Sequence, residues 1–95
     1  MNIRIIFTKS GQIIGDLSEQ RAGEATHAVT VDNPVLLMSG PQGVQFIPLL
    51  MLTTDTKVNL GRDELLFNGE SFEPVTELRN QYSSMYGSGI QLLSK

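Results

Sequence analysis

The chain carries a single histidine, His27, and no cysteine. A Cys–His nucleophile pair, a thiolate metal site and a cluster of histidine ligands are therefore out of reach within one copy. Gly87-Ser88-Gly89 is too short for a phosphate loop, lacks the Lys-Ser/Thr ending, and follows a helical pattern rather than a strand. Asp63 and Glu64 are adjacent in a strand-like run, so they point to opposite faces and make a poor acid–base pair. Gly40-Pro41-Gln42-Gly43 has the composition of a turn. These residues read as non-catalytic, with no metal and no cofactor expected.

The elements that position the remaining side chains begin with Ile3–Leu17. Pairing Thr8 with Gln12 across a three-residue loop, Lys9-Ser10-Gly11, places Gly11 where a left-handed residue forms a bulge. In that register Ile3, Ile5, Phe7, Ile13 and Leu17 share one face, and Gly15 interrupts it. A glycine inside a strand marks a sharp bend or a close backbone approach. Ser18–Thr26 is polar and reads as a loop. His27–Met38 reads as a third strand, with Val29, Val31, Val35 and Leu37 on one face and a bulge or bend at Asp32-Asn33-Pro34. Val44–Leu52 is the fourth strand, and Lys57–Phe67 the fifth, broken at Gly61-Arg62-Asp63. Asn68-Gly69 ends the strands. The pattern predicts a small, mainly β domain, barrel or sandwich, with strands over about 2–67.

A helix is predicted over about 74–86, with Pro74 in its first turn and Gly87 just past its end. Val75, Leu78, Tyr82, Met85 and Tyr86 follow helical spacing, so the two tyrosines read as packing residues. Ile90, Leu92 and Leu93 in the tail, 88–95, are expected to pin it to the strands. The fourth strand is apolar on both faces, which predicts burial on both. Pro48 has no donor for a ladder and places that strand at an edge or a bulge. An apolar edge strand is an aggregation hazard unless something covers it, so self-association is expected.

Ninety-five residues make one domain, 1–95, burying roughly 60–65% of the unfolded surface. The longest apolar run, Phe46–Leu52, is far short of the roughly 20 residues of a membrane helix. The chain starts in a strand without a signal-peptide layout, and the expected location is the cytoplasm. Net charge is −3, from seven Lys and Arg against ten Asp and Glu, which weighs against general nucleic-acid binding and leaves a local site open.

Ile3, Ile5, Phe7, Gly11, Ile13, Gly15 and Leu17 resemble the first half of the Sm (LSm) signature, with the turn one residue off the usual spacing. The likeness covers about a sixth of the chain. It implies a strongly bent five-stranded Sm-like (SH3-like) barrel, here with its one helix at the C-terminus. It also implies a homo-oligomeric ring of five to seven subunits joined through the fourth strand of one and the fifth of the next. Phe46, Ile47, Leu49, Met51, Val58 and Leu60 are the expected interface. The implied function is non-catalytic binding of nucleic acid, RNA more than DNA, in RNA or DNA processing. The chain as a whole is also similar to small proteins of marine cyanophages, through Asn80-Gln81-Tyr82 and Tyr86-Gly87-Ser88-Gly89-Ile90. That likeness implies a phage product in the cytoplasm of a bacterial host, and its alternative function is a self-assembling structural or adaptor protein without nucleic acid.

The Sm resemblance assigns binding to two loops, after the second and fourth strands. The first loop would carry Arg21, Thr26 and His27; Arg21 stands where the family has Asp. Arginine suits a phosphate and histidine a base. The second loop would carry Thr53, Thr54 and Lys57, whose hydroxyls and ammonium suit a phosphate or sugar; the family's Arg-Gly is absent. An alternative register sets Asp55-Thr56-Lys57-Val58-Asn59-Leu60 and Met85–Ile90 on the two motifs and makes Asn59 and Tyr86 the base contacts. Membrane association is not expected.

Overall fold

The computed structural model describes residues 1–18 and 29–87. Six strands form one antiparallel sheet: β1 (Ile3–Thr8), β2 (Gly11–Leu17), β3 (Val29–Gly40), β4 (Gly43–Pro48), β5 (Lys57–Leu60) and β6 (Ser71–Phe72). One helix follows, α1 (Thr76–Tyr82), running on into a single wide turn, Ser83–Gly87. The strand order is β4-β3-β2-β1-β6, with β5 also against β3, so the sheet is open. The mainly β class and the C-terminal helix agree with the sequence reading. The strand count does not: the predicted fifth strand ends at Leu60, and Ser71–Phe72 adds a sixth beyond Asn68-Gly69. Among the described residues no helix is long and apolar enough to cross a membrane.

The first hairpin turns through two residues, not three. Thr8 pairs with Gly11, and the register continues as Ile6 with Ile13, Ile5 with Ile14 and Arg4 with Gly15. The Thr8 side chain closes the tight turn, since its Oγ1 accepts from the Ser10 amide at 3.1 Å and donates to the Gly11 carbonyl at 2.9 Å. Gly11, at φ +135°, takes the conformation that a side chain would strain. A slip of one residue moves every partner to the other face. Ile13 and Leu17 consequently leave the face of Ile3 and Ile5, and Ile14 replaces them there.

Both faces of the hairpin are covered. Ile3, Ile5, Ile14, Val35 and Tyr82 form one core, with Phe7, Leu37, Phe46, Leu78 and Tyr86 against it. Ile6, Ile13, Leu17, Val29 and Val31 form the second, flanked by Leu36, Val58, Leu60 and Leu65. This face has no second sheet and no α-helix against it among the described residues, yet Ile6 and Val31 are wholly buried, so the sheet curls around it. Each fully buried Ile or Val here is worth roughly 1.5–3 kcal/mol over its exposed state.

The curl originates at Asp32-Asn33-Pro34, where the sequence predicts a bulge. Ile14 pairs with Val35 but Asp16 with Asp32, so the β3 side holds the extra residue, with Gly15 between the two pairs on β2. Asn33 adopts φ +53°, a left-handed position that Asn tolerates well. The bulge also reverses the pleat, which sends Val29 and Val31 to the second core and Val35 and Leu37 to the first. The predicted single face for these four side chains is thereby divided. Four hydrogen bonds hold the bulge. The Tyr82 hydroxyl reaches the Asn33 carbonyl at 2.8 Å and the Asp32 carbonyl at 3.1 Å, the Asn33 amide donates to Thr56, and the Leu49 amide donates to Pro34.

β4 stops at Pro48, short of the predicted Leu52, because proline cannot continue the ladder. It is an edge strand as its proline predicts, but its apolar side chains are not enclosed: Val44 is 43% exposed, and beyond it Met51 is 67% and Leu52 fully exposed. β5 is laid end to end with β4 along the same side of β3, and 49–56 is an excursion between them at the bend. After β5 the chain turns through Arg62–Glu64 and crosses to the outer edge of β1, where Leu65 bridges Thr8 and Leu66 donates to Phe7. α1 begins after Val75 rather than at Pro74, and its stripe is only partly used: Leu78, Tyr82 and Tyr86 pack on the first core, while Val75 and Met85 are exposed. The tail residues Ile90, Leu92 and Leu93 lie outside the described residues.

Candidate nucleic-acid interface

Arg21, Thr26 and His27 lie outside the described residues. The bases of their loop are described, however. The Ser18 amide donates to the Thr30 carbonyl at 2.9 Å, and Val29 pairs with Leu60. Thr30, Asn59, Gly61 and Arg62 therefore surround the point where 19–28 leaves the sheet. Thr30 Oγ1 donates to Asn59 Oδ1 at 2.6 Å, and Asn59 is exposed. Arg62 is exposed and forms no ion pair among the described residues.

Thr53, Thr54 and Lys57 are all exposed, as a binding role needs, but they sit elsewhere. Their loop is fastened to the bulge through Thr56 and Leu49, and the Asp55 amide is turned back on Thr53 Oγ1 at 3.1 Å. Lys57 opposes Asp32, and Leu60 opposes Val29, three residues further along β5. At about 3.3 Å per residue, the 53–57 group is roughly 10 Å from the base of the 19–28 loop. The turn that adjoins that loop is Gly61-Arg62. By sequence these two residues read only as a strand break; the signal they carry is a glycine followed by an arginine directly after the apolar run. Asn59, from the alternative register, is in this group, whereas Tyr86 is half-buried against the first core.

The residues expected at a subunit interface fall into two sets. Phe46 is partly buried on the first core, and Val58 and Leu60 on the second, so each already covers apolar surface of its own chain. Ile47 is half-buried, while Leu49 and Met51 join Val44 and Leu52 in exposing apolar surface on and beyond the β4 edge.

Elsewhere, Arg4 donates through Nε to Ser71 Oγ, through Nη2 to the Ser71 carbonyl and through Nη1 to Glu73, all at 3.0–3.1 Å. Arg79 pairs with the same carboxylate. Glu73 is 64% exposed, so these pairs orient β6 and α1 more than they stabilise them. Asp16 and Asp32 are cross-strand partners; Asp16 accepts from the Asn2 amide at 2.8 Å, and Asp32 Oδ1 is buried without a partner among the described residues. No group of three metal-ligating side chains occurs among the described residues. Burial pushes the Tyr82 phenol well above its ordinary value, and the nearby Tyr86, Asp16 and Asp32 add to the shift. Tyr86 is raised by burial too. Both phenols are neutral, Tyr82 as a packing and hydrogen-bonding group and Tyr86 as a packing group. Comparison with known proteins finds no family model that matches the chain and no matching curated relative.

Proposed function

We propose that this chain is a non-catalytic binder of single-stranded nucleic acid, RNA in preference to DNA, working as a self-associated Sm-like ring. The reading is supported chiefly by Arg62, without an ion-pair partner among the described residues, beside Asn59 and Thr30 at the end of the sheet where the 19–28 loop leaves. A guanidinium suits a phosphate, and an exposed amide side chain suits a base edge. The curled hairpin-and-bulge sheet and the motif residues Ile3–Leu17 are what an Sm-like subunit would need. The net charge of −3 does not oppose the reading in a ring, because five to seven copies would bring their Arg62 side chains around one opening.

Fluorescence anisotropy with a short single-stranded RNA, at low salt, tests it. Affinity is expected to fall on Arg62→Ala and to change less on Lys57→Ala, about 10 Å away along β5. The log–log salt slope is expected to shrink by about 0.7 for each phosphate that a variant no longer neutralises. No binding by the wild type at low salt would sink the proposal.

A second reading is favoured by the fully exposed Leu52 and the acidic balance: a phage structural or adaptor protein that assembles without nucleic acid. Both readings place the β4 edge against another copy. Light scattering is expected to report a discrete multiple of 10.4 kDa. Val44→Lys, on the exposed edge, is expected to lower that mass without unfolding the monomer; a wild-type monomer would remove the ring from both.

A further inference from the structure

β6 is reached through a turn of three consecutive left-handed residues, Phe67 at φ +55°, Asn68 at +55° and Gly69 at +77°. Asparagine and glycine accept that region, whereas a bulky aromatic rarely does. Strain of this kind persists only where the surroundings impose it. Here they do. The Phe67 ring, 60% exposed, packs edge to face on Phe7 and Phe72 at centroid distances of 5.4 and 5.9 Å. The Gly69 amide donates to the Leu66 carbonyl and the Glu70 amide to the Phe67 carbonyl, both at 3.0 Å.

Of the five asparagines, Asn68 alone precedes a glycine. In that dipeptide the glycine nitrogen can attack the asparagine Cγ; the side-chain nitrogen leaves as ammonia, and a five-membered succinimide forms. One water then opens the ring at either carbonyl, giving aspartate or isoaspartate. Glycine permits the attack because no side chain obstructs its nitrogen. Asn68 is exposed, so water reaches it. Two features of the fold oppose the reaction. At ψ 28° the Gly69 nitrogen lies nearly opposite the Asn68 Cβ about the Cα–C bond, so the ring cannot close. The same nitrogen belongs to a buried residue and has its proton committed to Leu66. Attack therefore needs the 68–69 peptide to swing round and that hydrogen bond to break.

We propose that Asn68 is a gated modification site, held unreactive by the closed Phe67–Gly69 turn and deamidated by water from the open form. Isoaspartate adds a carbon to the main chain between 68 and 69, so a turn that has reacted cannot re-form the Gly69–Leu66 bond in register. Opening is thereby recorded as a lasting release of Phe67 from Phe7 and Phe72. The site is independent of what the chain binds.

The test incubates the full chain in mildly alkaline buffer, native and in denaturing urea. Peptide mapping by mass spectrometry follows aspartate and isoaspartate at position 68. The native chain is expected to react at least about tenfold more slowly than the unfolded one, since only the locally opened fraction can react. Equal rates would overturn the gate, and no reaction in urea would overturn the site. Phe72→Ala removes a ring from beside Phe67 and leaves the Asn68-Gly69 sequence intact. With melting followed by circular dichroism to show that it folds, it is expected to speed the native reaction about 2- to 12-fold, the equivalent of one lost aromatic pair. Its rate in urea should match the wild type. An unchanged native rate in the folded variant would overturn the gating by the rings; should the variant not fold, the wild-type comparison decides.

Discussion

Replacing Gly15 by alanine is expected to lower stability by about 2–3 kcal/mol, the upper part of the range for overpacking a well-filled core. A Cβ built at Gly15 would stand 2.3 Å from Val31 Cγ1 and 3.3 Å from the Asp32 carbonyl oxygen. Neither neighbour can withdraw easily. Val31 is completely buried and branched at Cβ, so its rotamer is confined, and the Asp32 carbonyl belongs to the bulge that Tyr82 holds. The demand is for space alone, because Gly15 is not in the left-handed region. In a domain of this size each kcal/mol moves the melting temperature by about 4–8 °C, so circular dichroism should record a fall of roughly 8–24 °C. Gly61→Ala is the matched control. Nothing lies within 4 Å of its added methyl, its φ of −77° is ordinary, and its melting temperature should hold or rise slightly. The clash itself can be isolated by a cycle: Gly15→Ala with Val31→Ala should cost less than the sum of the two single changes. An unaltered melting temperature for Gly15→Ala would mean that the sheet does not curl at this point.

Tyr82→Ala is expected to be as damaging or more so, at about 3–5 kcal/mol for loss of a fully buried aromatic ring. The ring fills the first core beside Ile5, Ile14 and Val35, so alanine leaves a cavity between helix and sheet. Tyr82→Phe separates packing from hydrogen bonding. It keeps the ring and strips the donor from the Asn33 and Asp32 carbonyls, for a cost of about 1–2 kcal/mol. The phenol also makes stability depend on alkaline pH, with a definite sign. Its folded pKa lies above its ordinary value near 10, so the folded state holds the proton more tightly than the unfolded chain. The associated stability is complete below pH 10 and is lost as pH rises beyond it, by about 1.4 kcal/mol per unit for one phenol. Tyr82 and Tyr86 are the chain's two tyrosines, and it has no tryptophan, so absorbance at the phenolate band reports them directly. Urea midpoints for the wild type should fall above pH 10, and Tyr82→Phe should flatten that fall. Equal pH dependence in both proteins would contradict the buried, bulge-holding hydroxyl.

The amino-acid sequence alone determined the class and the places where the chain changes direction. Alternating apolar residues around Lys9-Ser10-Gly11 require a hairpin, Asp32-Asn33-Pro34 requires a break in a strand, and Pro74 with Leu78 and Tyr82 announces the helix; each is a local matter of side-chain period and permitted φ. It also located Gly15 as a close approach and Pro48 as the mark of an edge strand. Register and neighbourhood were decided only in three dimensions. Thr8 closes its turn one residue earlier than the hydrophobic pattern alone suggests, and that slip exchanges Ile13 and Leu17 for Ile14 across the sheet. Ile6 on β1 and Ile14 on β2 put apolar residues on the second face of the hairpin as well, so the pattern is a weak guide to the choice between the two registers. Which turn adjoins the 19–28 loop was equally hidden. Composition marks 53–57 as the polar loop after an apolar strand, but β3 is long enough to pair with β4 and β5 in series, and this moves the adjoining turn to Gly61-Arg62. The cluster of Phe7, Phe67 and Phe72 unites residues from opposite ends of the chain, and no spacing within the chain announces it. Local chemistry chose the elements; the competition of two buried faces for one curled sheet chose which side chains meet.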